Sequence, residues 1–231
     1  MKPYLFFCSQ EDGPISLAKA RGKYHPLNSA NIHLAGWSGG WSNKTPLPLR
    51  YNESIKYLAD NPQLGDTLIL CHDDIVITDI NWTTKLELAL KKYDVVGLAG
   101  GSNAAIQPPC LWHIMCPRDN QSGSVTHADF NNNSTFKTHF GKAGRVLILD
   151  GLFLAFKVKT IIDAGIKFDE SNPCIAHFYD IDFSLTCNKK KLKLGTTNID
   201  VIHSSPGLRG YNKEWLAGET WFLNKFKSGE Y

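Results

Sequence analysis

The sequence predicts an α/β fold with a mostly parallel central sheet flanked by helices, and three observations carry that prediction. Leu68-Ile69-Leu70-Cys71 is a continuous apolar run of the kind a strand covered on both faces shows. Strand-like and helix-like segments alternate along the chain, the order of a parallel sheet with right-handed crossovers. The 231 residues are 42% hydrophobic and 20% charged, ordinary for a globular chain that buries a core without disulfides or structural metal.

Tyr4 to Cys8 reads as a first strand. It is short, runs into polar Ser9-Gln10-Glu11-Asp12, and lacks the small-residue cleavage site of a secretory signal. Asp12 to Gly40 is rich in Gly, Ser, Asn and Pro, with Asn31 to Leu34 as a short second strand. Tyr51, Ile55 and Leu58 share a helix face over Arg50 to Ala59, which Asn61-Pro62 and Gly65 end before the apolar strand. Asn81 is placed to cap a helix through Tyr93, and Asp94 to Gly101 reads as one strand running into glycines.

From Ser102 to Arg145 the periodicity dissolves into a long irregular segment, with Ser124 to His127 as part of a hairpin. Strand character returns at Val146 to Leu149 and Gly151 to Phe156, on either side of Asp150. Lys159 to Ala164 is a short helix closed by Gly165. His177 to Lys190 is helical after its first turn, and Leu192 to His203 supplies a last strand or two. Asn212 caps a final helix in which Trp215, Phe222 and Phe226 share a face. No repeat or linker divides the chain, so residues 1–231 read as one domain.

A net charge of +3 is too weak and dispersed to predict nucleic-acid binding, and it is compatible with an anionic small molecule. The six cysteines form no C-x-x-C pair and several sit in apolar segments, which points to reduced thiols and a cytoplasmic protein. No run approaches the roughly eighteen apolar residues of a transmembrane helix, which leaves peripheral membrane contact open. Glycines 97, 100 and 101 do not make a dinucleotide fingerprint and no P-loop pattern occurs, which disfavours nicotinamide and P-loop chemistry.

Three clusters are suited to chemistry. His72-Asp73-Asp74 follows the apolar run, at the strand end where open α/β sheets bind ligands. Two hard oxygens and one imidazole suit Mg²⁺ or Mn²⁺ bound with phosphates better than a closed zinc site. The plainer reading is that the two aspartates cap a turn or the next helix. In Tyr179-Asp180-Ile181-Asp182, carboxylates lie at a helix start among large apolar groups. One of them is either a general base, strengthened by partial burial, or simply an N-cap. His203 ends a strand before a flexible loop and is either a metal ligand or a hydrogen-bonded structural residue.

In this order the motifs resemble those of the family-2-like glycosyltransferases of GT-A fold, in the small subgroup with His-x-Asp in place of the Asp-x-Asp metal motif. The resemblance spans most of the chain through Arg50-Tyr51-Asn52, His72-Asp73-Asp74, Val96 to Gly100, Trp112, Gly123 to His127, Leu149 to Phe153, Tyr179 to Phe183 and Ile202-His203. It implies a nucleotide-binding part over about 1–101 and an acceptor-side part over about 102–231. It also implies transfer of a sugar from a nucleotide-sugar donor, a UDP-sugar by expectation, to a hydroxyl of a glycan, lipid-linked sugar or glycoprotein. Asp74 and His203, with His72, then hold Mn²⁺ or Mg²⁺. Asp180 is the catalytic base, Asp182 supports it, and the anomeric carbon is inverted.

By the same resemblance Ser9 belongs to the nucleoside pocket, Arg50 and Asn52 line the phosphate side, and Asp73 contacts the donor. Trp112, Asp150 and Gly151 are sugar-side or acceptor-side elements. Arg209 lies in a loop, Ser204 to Tyr211, that closes over the diphosphate. Two other functions stay open beside this one: a sugar nucleotidyltransferase, though its Gly-rich amino-terminal loop is not seen, and a non-catalytic carbohydrate-binding protein on the same fold.

Overall fold

The apolar run at Leu68 becomes β3 (Thr67–His72), and its residues alternate between two hydrophobic clusters. Leu68 and Leu70 enter one, and Ile69 and Cys71 the other. Burial on both faces removes the polar alternation, which is why the run is continuous in sequence. A computed structural model describes residues 3–9, 33–38, 45–129, 134–204 and 211–231 and gives a mixed α/β fold with two sheets.

The first sheet has the order β2-β1-β3-β11-β5-β12-β9. Its strands are β1 (Pro3–Ser9), β2 (His33–Ser38), β3, β5 (Val95–Gly97), β9 (Arg145–Val146), β11 (Phe153–Lys157) and β12 (Leu194–Thr196). The pairs β1–β2, β1–β3 and β5–β12 are parallel, whereas β3–β11, β5–β11 and β9–β12 are antiparallel. The expectation of a mostly parallel sheet is corrected by these pairings. A strand buried on both faces reads the same in either direction, and β11 enters between β3 and β5 from a tight turn at Asp150-Gly151-Leu152 instead of a crossover helix.

The second sheet has the order β10-β6-β7-β13-β4, with β8 paired to β7. It comprises β4 (Ile75–Ile77), β6 (Ala99–Gly101), β7 (Gln121–Asp129), β8 (Ser134–Gly141), β10 (Ile148–Leu149) and β13 (Val201–His203). Four stretches of chain pass from the first sheet to the second: β3 to β4 through Asp73-Asp74, β5 to β6 through Leu98, β9 to β10 through Leu147, and β12 to β13 through residues 197–200. The single strand expected over Asp94 to Gly101 is thus two short ones in different sheets. The irregular segment expected from Ser102 to Arg145 contains a long hairpin, β7–β8, whose outer strand is largely exposed and polar and so carried no apolar signal. Gly123 sits at the bulge of that hairpin with φ 95°, and a Cβ there would lie 1.9 Å from the Leu98 carbonyl oxygen.

The helices follow their sequence signals closely. Tyr51, Ile55 and Leu58 on α1 (Leu47–Asp60) pack with the Leu68 face of the sheet. Trp82, Leu86 and Ala89 on α2 (Trp82–Leu90) join the Ile69 face. The cap of α2 is corrected: Asn81 makes no side-chain cap, and its N–H instead donates to Asp79 Oδ1 at 2.9 Å, beside the Lys85–Asp79 ion pair. After the short α3 (Trp112–Met115) and α4 (Val158–Asp163), α5 (Tyr179–Lys189) contributes to both clusters, Tyr179 and Phe183 to one and Ile181 and Leu185 to the other. A helix buried on several sides shows little amphipathic stripe.

Asn212 caps α6 (Lys213–Lys227), accepting the Trp215 N–H at 2.8 Å. Trp215 and Phe222 are buried, while Phe226 at the helix end is half-exposed. Lys225 anchors this helix by donating to Asp169 and Asp182 at 2.7 Å each, and the Tyr231 hydroxyl also donates to Asp182. Asp182 is only 2% exposed; burial pushes its carboxyl above the ordinary range in spite of Lys225. Removing the cation leaves that carboxylate without its charge partner. Lys225→Met is expected to cost about 3–5 kcal/mol in chemical denaturation, with part recovered by adding Asp182→Asn. Full stability of the single variant would show that the pair does not hold α6.

Candidate metal centre and carboxylate pair

The passage of the chain from β3 into β4 builds the site. His72 is the last residue of β3, Asp74 stands in the two-residue turn, and Ile75 begins β4, where it pairs with His203 of β13. The Ser204 N–H donates to the Asp74 carbonyl at 2.8 Å, which fastens the end of β13 to the turn. Two sheets therefore deliver one imidazole each to the same carboxylate. His203 Nε2 is 3.3 Å and His72 Nδ1 3.8 Å from Asp74 Oδ1, and one ligand atom of each residue lies within 4.8 Å of the others.

Asp74 Oδ1 and His203 Nε2 are both buried without a hydrogen-bond partner, and they face each other at 3.3 Å as an ion-pair contact. Orphaned buried polar atoms that converge on one point are costly unless something occupies it. Burial lowers the pKa of His72 despite Asp74, Asp150 and Asp73, which favours the neutral ring a metal requires. For Asp74 burial pushes upward, but the His203 and His72 rings outweigh it and hold the carboxyl below its ordinary range. These residues fit a divalent cation, and Asp74, His203 and His72 are brought together as the sequence suggested.

The second half of the site is a pair of carboxyl groups. Asp180, half-buried in the first turn of α5, accepts the Gly151 N–H at 2.9 Å. Burial and then the neighbouring charge of Asp150 raise its pKa to about 7, against the pull of the Gly151 N–H. Asp150 is fixed from two sides, by the Trp112 indole N–H at 2.6 Å and the Leu152 N–H at 2.8 Å. The Tyr179 hydroxyl lies 3.2 Å from His72 Nε2 and donates to the Gly151 carbonyl at 3.2 Å, so the carboxylate pair and the cation cradle adjoin.

Several expected site residues have other duties. Asp182 points away from this group into the Lys225 and Tyr231 network, because residues two apart on a helix do not share a face. Asn52 spends its amide on Phe168 and Glu170, where it fastens α1 to the segment before α5 instead of lining a phosphate. Arg50 is engaged with Glu53 and Thr45. Trp112 is buried against Phe140, so it serves the site through its N–H and offers no open face to a sugar. Asp73 is half-buried in the turn and adds its charge to the surroundings of His72.

Ser9 ends β1 one step past Cys8, which pairs with His72, so its backbone lies at the same sheet edge. Arg209 and most of its loop lie outside the described residues. His127 was not singled out as a site residue, although it pairs with His203 across β7 and β13, with ring centroids 5.7 Å apart. Tyr179 falls within the motif Tyr179 to Phe183, but nothing in the sequence assigns it a role of its own. Only the strand register and the turn at Gly151 place these two beside the site, and neither is written in local sequence. Cys110, Cys116, Cys174 and Cys187 are buried and unbridged. Among the described residues no helix is long and apolar enough to cross a membrane.

No family model matches the chain, and no curated protein is similar to it in sequence. Among solved structures, the crystal structure of A197 from STIV is similar over 92% of this chain and 98% of that chain, at 12% sequence identity and a TM-score of 0.49.

Two imidazoles and one carboxylate are a softer donor set than the oxygen cages magnesium prefers. Calorimetry is therefore expected to find Mn²⁺ bound more tightly than Mg²⁺, and Asp74→Ala to weaken Mn²⁺ by more than about 100-fold. Equal affinity for the two ions, or undiminished Mn²⁺ binding in the variant, would exclude this centre.

Proposed function

We propose that the chain is a glycosyltransferase of GT-A fold that moves a sugar from a nucleotide-sugar donor, a UDP-sugar in the first instance, to a hydroxyl of a glycan, lipid-linked sugar or glycoprotein. The observation that carries the reading is that the His72, Asp74 and His203 cradle adjoins a half-buried Asp180 whose pKa is raised to about 7. A cation held in the cradle would neutralise the diphosphate leaving group. Asp180 takes the proton of the acceptor hydroxyl while that oxygen bonds to the anomeric carbon and the bond to the diphosphate oxygen breaks. A base titrating near neutrality combines a sizeable ionised fraction with good proton affinity. Attack from the face opposite the leaving group inverts the anomeric carbon.

Asp150 raises the proton affinity of Asp180 without itself moving, since the Trp112 and Leu152 N–H groups hold both of its oxygens. A sugar nucleotidyltransferase would use the same cradle but leave Asp180 with no proton to take. A non-catalytic binder would gain nothing from a carboxyl raised so far. Both readings are therefore weaker.

Incubation with a panel of nucleotide sugars and Mn²⁺ tests the proposal through donor hydrolysis and transfer. Asp180→Asn is expected to keep nucleotide binding and lose about 10²–10⁴-fold in rate. The wild-type rate should rise through about pH 7 as the base ionises, and Asp150→Asn should move that midpoint to lower pH. NMR of the product should find inversion. No turnover, together with no thermal stabilisation by any nucleotide, would overturn the assignment.

The same carboxyl affects stability. Its folded pKa is raised, so its contribution to stability is fully present below the ordinary carboxylate value of about 3.9. That contribution is lost as the pH climbs through about 7. Asp180→Asn is therefore expected to melt higher than wild type at pH 8 although its transfer rate is reduced. A lower melting temperature there would contradict the buried, raised carboxyl.

A further inference from the structure

Tyr179 stands between the two halves of the site, and the transfer mechanism assigns it nothing. Its hydroxyl has one proton to give and lies 3.2 Å from the Gly151 carbonyl, which can only accept. With that proton spent, the hydroxyl oxygen faces His72 Nε2 at 3.2 Å as an acceptor, so Nε2 carries the ring proton. The lone pair of His72 is then on Nδ1, the atom 3.8 Å from Asp74 Oδ1. An imidazole ligates through its unprotonated nitrogen, and the partner of the other nitrogen selects the tautomer.

We propose that Tyr179 is a positioning residue that holds His72 in the Nδ1-ligating tautomer and orientation, so that the divalent cation is gripped by three groups instead of two. The inference rests on the reading of His72, Asp74 and His203 as the metal site. Two further observations support it. A Cβ on Gly151 would lie 2.2 Å from the Tyr179 hydroxyl oxygen, so the approach of that hydroxyl to the backbone excludes every side chain at 151. The Tyr179 ring is itself clamped, edge-on to Tyr51 with centroids 5.4 Å apart and tilted against Phe168 at 6.2 Å. The hydroxyl is thus held by packing that a phenylalanine would keep.

Mn²⁺ titrations of the full chain test this by calorimetry on wild type, Tyr179→Phe, His72→Ala and the double variant. Tyr179→Phe is expected to weaken Mn²⁺ binding about 10–100-fold. In the His72→Ala background the same change should have no further effect, because its action passes through the absent ring. Unchanged affinity in Tyr179→Phe, or an equal loss in both backgrounds, would overturn the inference and leave the metal reading intact. Failure of wild type to bind Mn²⁺ would overturn the metal reading, and this inference with it. Nitrogen-15 NMR of wild type needs no variant: His72 should be protonated on Nε2 when neutral, and an Nδ1–H ring would refute the assignment.

Discussion

The passage of β3 out of one sheet and into the other as β4 is the constraint on which the site depends. Strand β3 pairs with β1 and β11 up to its last residues, and two residues later the chain is pairing with β13 in a different sheet. A turn of two residues between the sheets leaves its side chains outside both hydrophobic clusters, so polar groups are tolerated there. Asp73 and Asp74 occupy it. Register then does the rest, because pairing of His203 with Ile75 puts the end of β13 beside the turn without any specific attraction between the ligands.

Much of this was legible in the sequence. The run from Leu68 to Cys71, the caps and breaks at Asn61-Pro62, Gly165 and Asn212, and the helix from Tyr179 all carry local signals of periodicity or capping that the fold obeys. Strand direction was not legible, since β11 is apolar on both faces and no crossover length constrains its sense. The sheet changes at Leu98 and Leu147 were not legible either, because one residue between two short strands leaves the apolar pattern unbroken. Of the β7–β8 hairpin, Ser124 to His127 was legible, whereas the exposed polar residues of the outer strand gave no signal of its length.

The site divides along the same line. His72, Asp74, His203 and Asp180 are polar residues at the ends of apolar segments, where position draws attention to them, whereas Asp150 entered only with the family resemblance. Asn52 and Asp182 carry equally suggestive chemistry, yet each is consumed by a tertiary bond more than forty residues away, one with Phe168 and the other with Lys225. No local pattern distinguishes a carboxylate that will meet a lysine, as Asp182 does, from one that will sit beside a second carboxylate, as Asp180 does. Distance along the chain is where sequence reading loses force.

One residue, Gly151, joins the two halves of the site through the peptide units on either side of it. The Gly151 N–H holds Asp180 and its carbonyl takes the Tyr179 proton, while the residues on either side of it, Asp150 and Leu152, are tied to each other. A shift of this turn would therefore disturb the Asp180 carboxyl and the His72 imidazole together. Neighbouring residues carry the matching groups, for Tyr179 and Asp180 are adjacent at the start of α5, which the two hydrophobic clusters hold from both sides. The rigidity of the core is thus delivered to the site through a single helix end meeting a single turn. The absence of a side chain at Gly151 is what lets the two come close enough.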